Sequence, residues 1–313
     1  MADAIDPDDF TQGALNYMKR AAPERADALQ KLFDDHQVRV RHTTLDQFRQ
    51  GEVVDPSPSA LWGVIQFPPI MHTLAWLLIH GGWEAMRNYG AAIISYQMVG
   101  LAFSGADVEA ALTRYPETAR CAEIINCTVQ NVQGSDAPPP PWLPNINDTS
   151  PDPDTNRQYD AVRELWLIAQ CWFLFHELQH ILFQAEGKVF LDLRQEELAC
   201  DAKATSWLLD GVEFYSAQKH DEAADKVRGK RAMGMLVGLF CIGWLAPLGG
   251  SATHPPLQAR LRILLEQIGA HDAARFWDFA VGLLFVLAKG RKSIQIPAGA
   301  AMRDIALQIA GTI

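Results

Sequence analysis

The chain has 313 residues, 49% of them hydrophobic, and a formal charge of −10. That much apolar material can bury one large core or two ordinary ones. The acid excess argues against a nucleic-acid-binding role and fits a soluble protein of the cytoplasm.

Residues 1–20 are acidic and polar, without a basic start followed by an apolar run, so no secretory leader is expected. Across residues 3–35, Ala14, Tyr17 and Met18, then Leu29, Leu32 and Phe33, recur on a charged background and predict one or two amphipathic helices. Residues 38–42 alternate and predict a strand. Residues 45–49 read as a helical turn, and 61–67 as a second strand halted by Pro68 and Pro69. A helix is predicted over 72–89, ending at Gly90. It carries His72 and His80 without a glutamate in metal-binding register, so both read as core or surface histidines. Periodicity does not decide between helix and strand for 91–103. Helices follow at 107–115 and 117–129. From Gly134 to Asp154, four consecutive prolines and an Asn/Asp/Pro mixture read as a linker, a surface connection in the first instance.

The stretch from Cys171 to Phe183 carries the chemistry. His176 and His180 are one helical turn apart and project from one face, and Glu177 lies about 100° round the helix from His176, close enough to serve a water on a shared metal. Trp172, Phe173, Leu174 and Phe175 before, and Ile181, Leu182 and Phe183 after, predict burial. A buried helix does not carry two histidines and a carboxylate without partners, and a metal supplies them. A second helix is predicted over 194–209. Glu197 and Asp201 share one of its faces. If it lies antiparallel to the first, Glu197 can reach the metal and Asp201 can accept the free ring N–H of a ligand histidine. Glu196 is the competing ligand, although it points away from Asp201.

The run 232–253 has no charge but is broken by glycines and Pro247, which predicts a core helix packed closely on the metal helices rather than a membrane span. His254, followed by two prolines, is held in an extended or turn conformation. Residues 257–265 read as a helix with Pro256 at its start, and 276–287 as another core helix. The five cysteines form no CxxC pair and read as buried reduced thiols.

His-Glu-x-x-His, then Glu-x-x-x-Asp, then Thr-His-Pro-Pro-x-x-x-Arg resembles the gluzincin metallopeptidases of the heat-shock and CAAX-protease type. The phrase Trp-Phe-Leu-Phe-His-Glu-Leu-Gln-His with Glu-Glu-Leu-Ala-Cys-Asp is more closely similar to the Lit-type phage-exclusion peptidases of bacteria. The resemblance covers roughly residues 158–265. With the element pattern it implies an α+β, predominantly helical fold: a zincin-like metallopeptidase core with a small sheet and an N-terminal mixed region. The expected organisation is an N-terminal α+β region over 1–133, a Pro/Asp-rich linker over 134–156 and a helical zinc-metallopeptidase region over 157–313.

The chemistry expected is hydrolysis of a protein substrate with one Zn2+ per chain on His176, His180 and Glu197, and Glu177 as general base. A developing oxyanion needs a second donor: His254 first, Arg260 next, Tyr215 third. By resemblance His254 is alternatively an inhibitory fourth ligand, and it also reads as a turn residue packed below the site. The resemblance further implies a bacterial cytoplasmic protein that is dormant until a phage or host peptide activates it, with elongation factor Tu as substrate. Two alternatives stay open. One is a regulatory or toxin–antitoxin-type metallopeptidase acting on a repressor. The other is a membrane-associated quality-control protease using 232–253 as a span.

Overall fold

The computed structural model describes residues 7–43, 63–113, 115, 118–135, 137–145, 153–218, 223–245, 250–270, 276–288 and 290–313. The helical turn expected at 45–49, the start of the strand expected from 61, and the 146–152 part of the linker lie outside them.

The fold is predominantly helical, with two small two-stranded sheets. Helices α1 (Pro7–Ala21) and α2 (Ala26–Asp35) are separated by a short 3-10 turn at Pro23–Arg25, so the N-terminal amphipathic pattern resolves into two helices. Strands β1 (Arg39–His42) and β2 (Val64–Phe67) pair in parallel, with Arg39 opposite Val64 and His42 opposite Phe67. Helix α3 (Ile70–Ala85) runs through a π-helical turn at Met86–Gly90 directly into α4 (Ala91–Met98). The expected end at Gly90 is therefore corrected: a Cβ there would stand 3.3 Å from the Asp278 carbonyl oxygen, so this glycine admits a neighbouring helix instead of stopping its own. The undecided 91–103 stretch is helical as far as Met98.

Strand β3 (Phe103–Ser104) leads into α5 (Gly105–Leu112), whose start is a capping box between Ser104 and Asp107. Next come α6 (Thr118–Val132), α7 (Pro153–Ala185), α8 (Leu193–Leu209), α9 (Val212–Gln218), α10 (Ala224–Leu245), α11 (Leu257–Ala270) and α12 (Phe276–Leu287). Two elements had no clear signal: β4 (Gln295–Ile296), antiparallel to β3, and α13 (Met302–Ala310), which packs on α12. The proline-rich segment is pinned down rather than loose. Asn131 donates to the Ala137 carbonyl at 2.9 Å, Trp76 to that of Pro144 at 2.9 Å, and Trp142 to Glu123 at 2.7 Å.

The long helix α7 is the hub, packed against α1, α3, α8 and α10. One buried apolar cluster takes residues from both sides of the proline-rich segment, from Ala14 to Ala310. Helix α10 meets α7 through glycines: a Cβ on Gly234 would sit 2.5 Å from Ile168, and one on Gly238 would sit 2.8 Å from the Ala169 carbonyl oxygen. Such close approach accounts for the uncharged, glycine-broken sequence. Among the described residues no helix is long and apolar enough to cross a membrane. All five cysteines are buried and unpaired.

Replacing Gly238 by alanine should destabilise the protein by about 1–3 kcal/mol, because a backbone carbonyl cannot rotate aside as a side chain can. Gly13→Ala on α1, where nothing lies within 4 Å, should instead stabilise by up to about 1 kcal/mol. Paired denaturant melts read both; equal effects would contradict the packing assigned to α10.

Candidate metal centre

Two consecutive helices build the centre. Trp172 donates its indole N–H to Thr205 at 3.1 Å, His176 faces Asp201, and His180 faces Glu196 and Glu197, so α7 and α8 run antiparallel. Helical spacing on each puts His176 above His180 and Asp201 above Glu197, and the four meet in one seam. The sharp reversal begins at Gly187, whose φ of 66° lies in the left-handed region and lets Lys188 N–H return to the Phe183 carbonyl at 2.9 Å. Asp192 then caps α8 by accepting from the Arg194 N–H at 2.9 Å.

The Nε2 atoms of His176 and His180 are 3.2 Å apart. Glu197 places Oε2 3.4 Å from the first and Oε1 3.4 Å from the second. Tetrahedral coordination with bonds of roughly 2.0–2.1 Å sets neighbouring donor atoms about 3.3–3.4 Å apart, which matches. Two imidazole nitrogens at this distance repel unless a proton or a cation lies between them. Glu197 Oε2 is buried with no hydrogen-bond partner among the described residues. These are buried polar atoms facing one another, and the three residues fit a metal ion.

Each ring has a carboxylate at its other nitrogen. His180 Nδ1 lies 2.8 Å from Glu196, and His176 Nδ1 lies 2.9 Å from Asp201, the latter as an oblique charge contact rather than an in-line hydrogen bond. A carboxylate at Nδ1 favours a proton there and turns Nε2 of each ring inward, the nitrogen that a metal would take. Asp201 is itself gripped by Arg260 of α11, whose Nε and Nη2 donate to its two oxygens at 2.7 and 2.6 Å. A third guanidinium nitrogen stands 3.7 Å from Glu197.

The charges follow from this packing. Burial opposes charge on His176, yet Asp201 and Glu197 outweigh it and raise the pKa to about 10. His180 is raised too, burial again being overcome, here by Glu197. Burial works against the Glu197 and Asp201 carboxylates, but the histidines and Arg260 hold both below the usual carboxylate range.

The other expected residues are placed as follows. Glu177 is half-buried on α7 and makes no hydrogen bond or ion pair among the described residues. His254 stands at the rim, 39% exposed at the side chain, with Nε2 3.6 Å from Glu197 Oε1. The group of mutually close donor atoms consists of His176, His180 and Glu197, with His254 beside it. Its turn is held by Ser251, which accepts the His254 N–H at 3.0 Å, and by Arg194, which donates to the Ser251 carbonyl at 2.7 Å. Gly250, with φ of 81°, opens that turn where a Cβ would press on the His254 carbonyl.

Two further candidates have other surroundings. Arg260, offered as an oxyanion or substrate contact, is 1% exposed and wholly committed to Asp201 and Glu197. Tyr215 lies on α9 beneath Arg231 and shares a cavity with Glu164 and Leu167, on the order of 15 Å along α7 from His176. Glu196 was weighed only as a rival ligand. Its place at His180 Nδ1 was implicit in the antiparallel geometry, since a helix that sets Asp201 beside His176 must set residues 196 and 197 beside His180.

Arg260→Met should cost about 3–5 kcal/mol, because it strands the buried Asp201 carboxylate. A depressed carboxylate contributes stability that is present above its unfolded pKa of about 3.9 and is lost as pH falls through the folded value. The unaltered protein should therefore shed stability between pH 5 and 3, and Arg260→Met should shed less. Denaturation measured across that range checks both, and equal acid sensitivity would discount the clamp.

No curated protein and no solved structure matches the chain. The profile of one family, Peptidase U49, matches residues 73–280, from α3 into α12 and across the whole α7–α8 seam. By that match the chain belongs to the Peptidase U49 family and is a peptidase.

Proposed function

We propose that the chain is a zinc-dependent endopeptidase, with His176, His180 and Glu197 as ligands and Glu177 as general base. The observation that carries this is three donor groups, buried on His176 and Glu197 and half-buried on His180, whose facing atoms lie 3.2–3.4 Å apart, with a carboxylate beside each histidine's outer nitrogen. Two imidazoles and a carboxylate at such spacing suit zinc among the common divalent ions.

A bound zinc supplies Lewis-acid polarisation of the scissile carbonyl and acidification of a water. The chain's own residues do the rest. Glu177, which makes no hydrogen bond or ion pair among the described residues, takes the proton of the attacking water on a carboxylate oxygen and delivers it to the leaving amine nitrogen. His254 Nε2, at the rim, donates to the carbonyl oxygen as negative charge develops there. Asp201 and Glu196 fix the two rings, and Arg260 holds Asp201 in place.

Family membership and the motif resemblance support a narrower reading. In it the chain is a bacterial cytoplasmic protease that stays dormant until a phage or host peptide signals infection, then cleaves a translation factor, elongation factor Tu. The general peptidase reading does not depend on it.

Purified protein reconstituted with zinc is expected to hold one ion per chain. Glu197→Ala should lose it, whereas Glu196→Ala should keep it with affinity lowered about 10- to 100-fold. Glu177→Gln should retain zinc and lose hydrolysis by about 100- to 10,000-fold. Zinc retained in Glu197→Ala would move the third ligand elsewhere, and no zinc in any form would sink the reading.

Zinc titrations at pH 7, repeated in buffers of different ionisation enthalpy, should show at least one proton leaving per ion bound. His176, with its pKa raised to about 10, carries a proton on the metal-free protein that the ion must displace. Affinity should accordingly climb from pH 6 to pH 9; a flat profile would contradict the assignment of His176 as a ligand.

A further inference from the structure

The turn that carries His254 offers the outer nitrogen of this ring hydroxyls, where the rings of His176 and His180 meet carboxylates. The backbone of the turn has little freedom. Ser251 N–H donates to the His254 carbonyl at 2.8 Å, and Arg194 holds the Ser251 carbonyl at 2.7 Å. Pro255 restricts the conformation of the residue before it. What stays free is the side chain of His254, through the two torsions that aim its ring. Thr253 acts on these, with Oγ1 2.8 Å from His254 Nδ1.

The direction of that hydrogen bond follows from counting donors and acceptors. Ser251 Oγ accepts the Thr253 N–H at 3.2 Å and the His254 N–H at 3.0 Å, which takes up both lone pairs of the hydroxyl. Its own proton is left to donate. The nearer acceptor is Thr253 Oγ1 at 3.1 Å, with His254 Nδ1 further off at 3.4 Å. A Thr253 oxygen that receives this proton turns its own towards Nδ1. On the other side of the ring, Nε2 lies 3.6 Å from Glu197 Oε1, and a carboxylate favours a proton on the nitrogen that faces it. A neutral imidazole carries one proton, so it sits on Nε2 and Nδ1 is the acceptor.

Building on the peptidase reading above, in which His254 donates to the scissile carbonyl, we propose that Thr253 is a positioning residue for hydrolysis. Its hydroxyl donates to Nδ1, fixes the rotation of the ring and keeps an N–H at Nε2 pointed at the centre. A ring held in this way presents a proton to the oxygen where negative charge gathers. It offers no lone pair there, so it serves as a donor and not as a fourth ligand. The contrast with the two ligand rings is one of hydrogen-bond direction. A carboxylate at Nδ1 turns a bare Nε2 inward on His176 and His180, whereas a donating hydroxyl at Nδ1 turns an N–H inward on His254.

The test uses full-length protein carrying nitrogen-15 in its histidines, both metal-free and reconstituted with zinc. Long-range proton–nitrogen correlation spectra read which ring nitrogen holds the proton, and the signals of His254 are those missing from His254→Ala. Both forms are expected to show a proton on Nε2 and a hydrogen-bonded, unprotonated Nδ1. Thr253 is exposed, so Thr253→Val, which keeps its shape, should fold and hold zinc as the unaltered protein does. It should move the Nδ1 resonance to that of an unbonded nitrogen, and Thr253→Ser should leave it in place. With dye-quenched casein as substrate, Thr253→Val should lower kcat about tenfold, less than the roughly 100-fold cost of removing a donor outright, with KM within about twofold. Thr253→Ser should restore the rate. A proton on Nδ1, or a metal-bound Nε2 in the zinc form, overturns the proposal. So does a Thr253→Val protein whose Nδ1 resonance or kcat is unchanged. Absence of bound zinc in every form sinks the zinc reading alone, because spectra of the metal-free protein still decide where the proton sits.

Discussion

A guanidinium shut away from water beneath two carboxylates is the constraint on which the centre depends. Arg260 cannot lose its proton, so its surroundings must stay anionic, and Asp201 with Glu197 answers that need. The Asp201 oxygen that accepts from Arg260 Nη2 also faces His176, which fixes the ring and turns its other nitrogen towards Glu197 and His180. Burying this many charges is unfavourable in isolation and is tolerable only because each has a partner. The arrangement exchanges stability for orientation, as a site that must hold donor atoms to within tenths of an ångström requires.

The apolar frame serves the same end. Helix α7 is enclosed by α1, α3, α8 and α10, so the stretch bearing His176 and His180 has little freedom to tilt or rotate. Phe175 stacks on Trp207 and Trp172 bonds to Thr205, locking α7 to α8 on the deep side of the seam. At the other end the helices are joined through the turn at Gly187 and an exposed connection beyond it. Rigidity below and access above are thus two ends of one helix pair.

How much of this could be read from residues alone depended on how local each signal was. His176, Glu177 and His180 are declared by spacing within a single turn, and Glu197 with Asp201 by the same spacing on the next helix. Core helices such as Phe276–Leu287 were legible from unbroken apolarity. Gly90 was misread because a glycine that ends a helix and one that lets a neighbour approach look identical until the neighbour is known. The partner of Arg260 was illegible for a related reason: the carboxylate it holds is 59 positions away. The β3–β4 pair and α13 carry too few residues, or too weak a pattern, to stand out from loop.

The antiparallel seam also places every donor close along the chain. His180 and Glu196 are separated by 16 positions, whereas Asp201 and Arg260 are separated by 59. Closing the longer loop costs about 1 kcal/mol more chain entropy than closing the shorter one. During synthesis the two histidines and Glu197 have all left the ribosome well before the arginine that steadies them has been made. The donor set is therefore a hairpin-sized unit that can come together first, with the clamp arriving as its late seal. Assembly of the donor set and its final tightening are separable events in the biogenesis of this fold.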